Sequence, residues 1–369
     1  MKRILLIIGT RPETIKMAPV YHALRRCREF EIQVCSSGQH REMLDQMVRF
    51  FDLRVDEELN VMLPGQDLFD ITANVLSGMR EVLRRLQPDM VLVQGDTTTV
   101  MAASLAAFYL NIPVGHVEAG LRTGQIRDPF PEELNRIVTD SLSSLHFAPT
   151  ENARQALVRG GAPESSVHVT GNTVVDALLW ACDKLAGEPC AALDTGPMKR
   201  WILLTTHRRE NFGKPIRAIF SAVKQLTAKY PDLHVVYPAH PNPNVREAVA
   251  EELQGAPRVH VLEPQPYPEF VKLMRDCTLI LTDSGGVQEE APSLGKPVLV
   301  LRETTERPEG IAAGTARLIG TDAQTVVAET SRLLDDPAAF AAMAKVANPY
   351  GNGRAGEAIA RCLRHYFEP

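Results

Sequence analysis

Short apolar, β-branched runs recur along the chain and alternate with stretches whose apolar residues return every three or four positions. The first series comprises Ile4–Ile8, Ile32–Ser36, Met90–Gln94, Val114–Glu118, His146–Ala148 and Val167–Thr170. The second comprises Trp201–Thr206, His234–Pro238, Val259–Leu262, Leu279–Asp283, Val298–Leu301 and Arg317–Ile319. None shows the polar alternation of a half-exposed strand, so both faces are expected to be covered. Between two of them, Leu68, Ile71, Val75, Leu76, Met79, Val82, Leu83 and Leu86 mark one helical face, and Pro88 sets its end. Repeated strand–helix units of this kind predict parallel sheets joined by right-handed crossovers.

About a dozen strands exceed what one open twisted sheet comfortably holds, so two doubly wound domains are expected. The Gly/Pro/Ala-rich stretch Glu188–Lys199 is linker-like, but a boundary near Gly171-Asn172 is preferred. It gives the helix Val174–Leu185 to the second half and leaves Glu188–Lys199 as a surface loop. No repeat of 20–50 residues or low-complexity tract interrupts this pattern.

Composition narrows the class. The 369 residues are 44% hydrophobic and 23% charged, values of a folded globular protein. The formal charge is −5 and no basic run stands out, which argues against nucleic-acid and membrane-surface partners. Cys27, Cys35, Cys182, Cys190, Cys277 and Cys362 form no C-x-x-C pair, and scattered thiols suit a reducing, cytoplasmic location. The run Ile4–Ile8 is too short for a signal-peptide core, and no segment approaches the roughly 20 apolar residues of a membrane span.

In an open α/β sheet, ligands bind beyond the carboxyl ends of the strands. Polar residues of unusual specificity collect there. Gly9-Thr10-Arg11-Pro12-Glu13 and then Lys16 follow the first strand, offering two cations at a helix start. Gln94-Gly95-Asp96-Thr97-Thr98-Thr99 follows another, where Asp96 or a threonine can cap the next helix. His116-Val117-Glu118-Ala119-Gly120 ends with a carboxylate at a strand exit, costly if buried unless paired or used. Pro131-Glu132-Glu133 puts acids in a first helical turn, and for Glu133 a favourable place in the helix dipole suffices. Asp96, Glu118 and Glu132 are therefore candidates for proton abstraction and return.

The second half carries anion-binding equipment. Thr206-His207-Arg208-Arg209-Glu210-Asn211 sets consecutive donors at a strand exit. Leu281-Thr282-Asp283-Ser284-Gly285-Gly286 runs from a strand into a helix start that suits a phosphate, and Glu290 follows one turn on as an acceptor for vicinal hydroxyls. No G-x-G-x-x-G follows the first strand, and Gly295-Lys296 lacks the rest of a P-loop. Ten histidines include no H-x-H or H-E-x-x-H, so no metal site is expected.

Taken together, GTRPETIKMAP (9–19), GQHREMLDQ (38–46), QGDTTT (94–99), HVEAGLRT (116–123), PFPEELNR (129–136), THRREN (206–211), HPNPNVRE (240–247), LTDSGGVQEEAPSLGKPV (281–298) and TTERPEG (304–310) resemble the bacterial non-hydrolysing UDP-N-acetylglucosamine 2-epimerases. The resemblance implies a GT-B-type α/β fold, with two Rossmann-like doubly wound parallel-sheet domains and the active site in the cleft between them. The domains implied are 1–170, with the final helix 354–369 packing back, and a UDP-binding 171–353. The implied reaction interconverts UDP-N-acetylglucosamine and UDP-N-acetylmannosamine. It proceeds by loss of UDP to 2-acetamidoglucal and re-addition with a proton on the opposite face of C2. A GT-B glycosyltransferase and a hydrolysing 2-epimerase are the alternatives.

By motif matching, Asp96, Glu118 and Glu132 become acid/base groups, and Arg11, Lys16 and His207 stabilise or protonate the departing oxygen. Ser284, Gly285 and Gly286 take the phosphates, Glu290 the ribose hydroxyls and Phe270 the uracil, with Arg136, His240 and Arg307 as further contacts. Neither nicotinamide nor metal is required, and a homodimer is expected. Two departures stand out. Phe130 and Leu134 replace the Trp and Ala of some relatives. Gln39-His40-Arg41-Glu42 lacks the second Gln of the Gln-x-x-Gln pattern by which some members bind an activating second UDP-N-acetylglucosamine.

Overall fold

A computed structural model describes residues 1–38, 41–61, 65–194 and 198–368, with the backbone alone for 41–43. The chain divides into two compact units, Met1–Ala177 with Gly351–Pro369, and Leu178–Tyr350. The division falls inside the helix Thr173–Lys184.

Unit 1 holds β1 (Lys2–Ile8), β2 (Phe30–Ser36), β3 (Glu57–Glu58), β4 (Met90–Gln94), β5 (Val114–Val117), β6 (Leu145–Ala148) and β7 (Val167–Val169). They form one sheet in the order β3-β2-β1-β4-β5-β6-β7, every pairing parallel among the described residues. Ile4 through Ile8 are completely buried, which explains the uninterrupted apolar run: a central strand covered on both faces tolerates no polar residue. β3 escapes a reading of hydrophobicity, because two glutamates pair with Cys35 and Ser36 at the sheet edge.

The helix predicted from the 68–86 pattern spans Leu68–Leu86. Asp67 and Asp70 exchange backbone and side-chain bonds in a capping box at its start, and Gln87 closes it in the left-handed region at φ 45°. Its face of Val75, Met79, Val82 and Leu83 is buried in a core shared with Leu5, Ile7, Val91 and Val93. The last helix, Ala355–Phe367, packs on the first, Arg11–Arg25. Gly356 makes that approach possible, since a Cβ there would lie 2.7 Å from the Pro19 carbonyl oxygen.

Unit 2 holds β8 (Arg200–Thr205), β9 (Leu233–Pro238), β10 (Val259–Leu262), β11 (Leu279–Thr282), β12 (Val298–Val300) and β13 (Ala316–Leu318). Their order is β10-β9-β8-β11-β12-β13, again parallel. Its core gathers Ile202, Leu204, Ile219, Phe220, Val223, Val235, Leu279 and Leu281. Burying each such side chain stabilises the fold by roughly 1.5–3 kcal/mol.

Both sheets are doubly wound in the Rossmann manner, so this is the two-domain GT-B-type α/β class. In each, the order reverses beside the first strand, between β1 and β4 and between β8 and β11. Open sheets offer their ligand crevices at such reversals. The segments leaving those four strands are 9–16, 95–99, 206–211 and 283–286.

Candidate active site

Beyond β1, Thr10 caps the helix Arg11–Arg25 and Glu13 answers it, accepting from the Gly9 and Thr10 amides at 2.5 and 2.9 Å. The Thr97 hydroxyl donates to the other Glu13 oxygen at 2.6 Å, tying the turn after β1 to the turn after β4. Burial pushes the Glu13 carboxyl above its ordinary range, against the lowering effect of those three bonds. Glu13 is thus spent on architecture, which leaves Arg11 exposed at the first helical position and Lys16 one turn further in.

Lys16 pairs with a carboxylate. Its ammonium donates to Glu118 Oε2 at 2.5 Å, and Gln94, the last residue of β4, donates to the same oxygen at 2.5 Å. Glu118 lies just past β5 with φ 64°, a left-handed conformation unusual for a residue with a side chain. Such a position holds only when its surroundings over-determine it, a recurrent property of working sites.

The next helix cap is Thr97, so Asp96 is not consumed as a cap. Its Oδ2 accepts from Arg136 Nε at 3.0 Å and Nη2 at 2.6 Å, and its backbone carbonyl accepts from Asn135 Nδ2 at 2.9 Å. The remaining arm of Arg136 reaches Glu133 at 3.0 Å. Glu133 is buried and also accepts from the Thr123 and Gly124 amides, so it clamps that loop. Glu132 begins the helix Glu132–Leu142, half-buried, with no hydrogen bond or ion pair among the described residues. It stands four positions before Arg136, on the same helical face. Phe130 and Leu134, the departures beside it, are exposed.

Unit 2 centres on a residue whose role the sequence left unread. Asp283, completely buried after β11, accepts from Thr206 Oγ1 at 2.9 Å, the His207 amide at 3.0 Å, the Arg208 amide at 2.9 Å and Asn211 Nδ2 at 2.9 Å. One carboxylate thereby folds the whole donor loop after β8. His207 Nδ1 lies 3.4 Å from Asp283 Oδ1, and its ring stacks on His240 at 5.8 Å between centroids. Burial pulls the His207 imidazole below its ordinary range, Arg208 and His240 add to this, and Asp283 opposes it.

Around the Ser284-Gly285-Gly286 turn, a methyl placed on Gly285 would lie 3.7 Å from Arg208 Nη2 and 3.8 Å from Arg307 Nη2. Two guanidiniums therefore flank this backbone, an arrangement suited to phosphate oxygens. Arg307 is held from behind by buried Glu289. A methyl on Gly286 would meet Ser284 Oγ and Glu290 Oε2, each at 3.9 Å, so hydroxyl and carboxylate face the same turn. Phe270 is half-buried on the helix Tyr267–Asp276. Tyr267, on the same helix, has its hydroxyl pushed well above the usual range by burial and by Glu290.

Within unit 1 the structure joins Lys16 to Glu118 and Asp96 to Arg136; within unit 2 it gathers His207 with His240, and Ser284, Gly285, Gly286, Glu290 and Arg307 around one turn. Sequence reasoning missed Gln94, Glu289 and the work of Asp283, although an acid directly following a buried four-residue strand is itself a signal. Of the Gln39–Glu42 stretch, Gln39 and His40 lie outside the described residues, as do the side chains of Arg41 and Glu42. Among the described residues, no three His, Cys, Asp or Glu side chains are grouped to hold a metal ion, and no helix is long and apolar enough to cross a membrane.

The family model described as UDP-N-acetylglucosamine 2-epimerase matches residues 22–364. A UDP-N-acetylglucosamine 2-epimerase of Escherichia coli (strain K12) is 51% identical over 370 residues, 98% of each chain. The crystal structure of UDP-GlcNAc 2-epimerase from Neisseria meningitidis bound to UDP-GlcNAc superposes with a TM-score of 0.88 at 47% identity, covering 98% of this chain and 100% of that one. The Methanocaldococcus jannaschii UDP-GlcNAc 2-epimerase in complex with UDP-GlcNAc and UDP gives a TM-score of 0.81 at 34% identity, covering 98% and 99%.

Proposed function

The chain belongs to the UDP-N-acetylglucosamine 2-epimerase family, and from that premise we propose that it is an isomerase interconverting UDP-N-acetylglucosamine and UDP-N-acetylmannosamine. The observation that carries the reading to the residues is the Glu118 carboxylate at the end of β5, held by Lys16 and Gln94. C2 of the sugar has no carbonyl neighbour to acidify its proton, so removing that proton calls for simultaneous departure of a group from C1. A carboxylate takes the C2 proton, the C1–O bond breaks with its electron pair passing to UDP, and a C1–C2 double bond forms in 2-acetamidoglucal. Re-addition reverses these steps with the proton delivered to the other face of C2.

Two faces call for at least two proton-handling groups. Glu118, Asp96 and Glu132 fill that role, each in a different setting: ammonium-paired, guanidinium-paired and without a partner among the described residues. Arg11, Lys16 and His207 stabilise charge on the departing diphosphate. Ser284, Gly285 and Gly286, with Arg208 and Arg307, hold its phosphates; Glu290 takes the ribose hydroxyls, Phe270 the uracil, and Arg136 and His240 make further contacts. A transferase would need no three carboxylates for C2, and the full-length likeness to epimerases favours this reading over transfer and hydrolysis. Residence in the cytoplasm fits the free thiols, and the working form is a homodimer, as the resemblance implies.

Incubation with UDP-N-acetylglucosamine alone in D₂O, followed by proton NMR, tests the proposal. The expected result is a mixture of both epimers with deuterium at C2. Stoichiometric free sugar would show hydrolysis instead, and unchanged substrate would defeat the reading.

A further inference from the structure

His116, on β5 two residues before Glu118, is completely buried, and both of its ring nitrogens face acceptors. Nδ1 lies 2.5 Å from Asp140 Oδ1 and Nε2 lies 2.7 Å from the Gly95 carbonyl oxygen. A carbonyl oxygen only accepts, so Nε2 must carry a proton. Asp140 also pairs with Arg122 through its other oxygen, at 2.5 Å. Asp140 Oδ1 faces Nδ1 while its Oδ2 takes Arg122, so a proton on Nδ1 completes the bond to this carboxylate. A neutral ring would set a lone pair against one of these acceptors, at the cost of a buried hydrogen bond.

We propose that His116 is a positioning residue of the epimerisation, a buried imidazolium that pins the Gly95–Asp96 turn to Asp140. The proposal rests on the reading of Asp96 and Glu118 as proton-handling groups. Gly95 has φ 79°, open to glycine, and its amide donates to the Val117 carbonyl at 3.1 Å. The turn is thus gripped from β5 by Val117 and His116, and from the helix Glu132–Leu142 by Asn135 and Arg136. Asp140, on that same helix, closes the circuit through His116. The groups around Asp140 reinforce it: His146, the neighbour of His116 on β6, donates Nε2–H to the Asp140 carbonyl at 2.9 Å. Removing the His116–Gly95 bond frees the strand exit that aims Asp96 while leaving the unit 2 donors untouched.

Two measurements on the full chain test this. In protein labelled with ¹⁵N-histidine, the His116 ring signals are assigned by replacing the other nine histidines one at a time. Both nitrogens are expected to carry protons at the pH of the activity assay, since each faces an acceptor; an unprotonated nitrogen there would overturn the proposal. His116→Gln sets its amide near the place of Nε2 and retains the Gly95 bond, whereas His116→Asn sets it near Nδ1 and retains only Asp140. A displacement of about 1 Å can lower turnover about 100-fold, so kcat should fall by that order in His116→Asn, less in His116→Gln, with KM little changed. Equal kcat in all three proteins, or a better Asn than Gln variant, would overturn it. If a variant does not fold, the wild-type ring signals still decide. A wild-type protein inactive in D₂O would defeat the activity itself and leave the protonation result standing.

Discussion

Lys16 Nζ lies 2.5 Å from Glu118 Oε2, so a residue of the helix after β1 reaches past β4 to the end of β5. Gln94, ending the intervening strand, bonds the same oxygen. Three strand exits are thereby joined at one carboxylate.

Replacing Glu118 by Gln keeps the shape and one acceptor but removes the capacity to take a proton. Turnover should fall by about 10²–10⁴-fold, the usual share of a general base. Exchange at C2 in D₂O should stop, with UDP affinity by calorimetry nearly unchanged. A loss under about tenfold would remove Glu118 from the proton transfer.

Arg136→Lys tests the fork. Arginine serves Asp96 with two nitrogens and Glu133 with the third, a geometry that a lysine ammonium does not reproduce. Urea unfolding should show a loss of about 1–3 kcal/mol, and kcat should drop more than KM changes. Unchanged kcat would mean that the orientation of Asp96 is set elsewhere.

Asp283→Asn turns an acceptor-only group into one that presents N–H to N–H. With four donors on a completely buried carboxylate, the cost should reach at least about 2 kcal/mol. UDP affinity should fall with it, since His207 and Arg208 lose their fixed positions. Thermal unfolding and calorimetry read the two effects; full UDP affinity in the variant would contradict the assignment of this loop to the diphosphate.

Glu306 should contribute to the acid sensitivity of unit 2. Burial works to raise the Glu306 carboxyl, but hydrogen bonds and charge from Arg302 take it down from 4.5 to about 2. A depressed carboxylate contributes stability that is present above 4.5 and lost as pH falls from there toward 2. The Tm of Glu306→Gln should lie below wild type at pH 7 and converge with it by about pH 2. Solvent around the partly exposed Glu306 keeps the difference modest. A gap independent of pH would assign the effect to packing.

Much of this was legible in the chain because central parallel strands are buried on both faces and must be apolar throughout. The run Met90–Gln94 is a strand with those bounds, and the helix Leu68–Leu86 ends where Pro88 requires. The edge strand Glu57–Glu58 was not legible, since backbone pairing alone makes it a strand. In the site, local pattern identified Asp96, Glu118 and His207 as unusual but left their partners unread. Glu13 and Glu133, sited much like Glu132 in a first helical turn, are consumed by backbone amides.

The order of apolar runs and turns by itself determined two doubly wound sheets and the strand exits where chemistry collects, because periodicity and turn residues act over a few neighbouring positions. Which acids are held ready and which are spent was decided only by the tertiary structure. Lys16 and Glu118 are 102 positions apart, and Asp283 stands 75 positions from the Arg208 amide it fixes. Hydrogen bonds act over about 3 Å, and no local pattern states which distant residues the sheet order will bring within that reach.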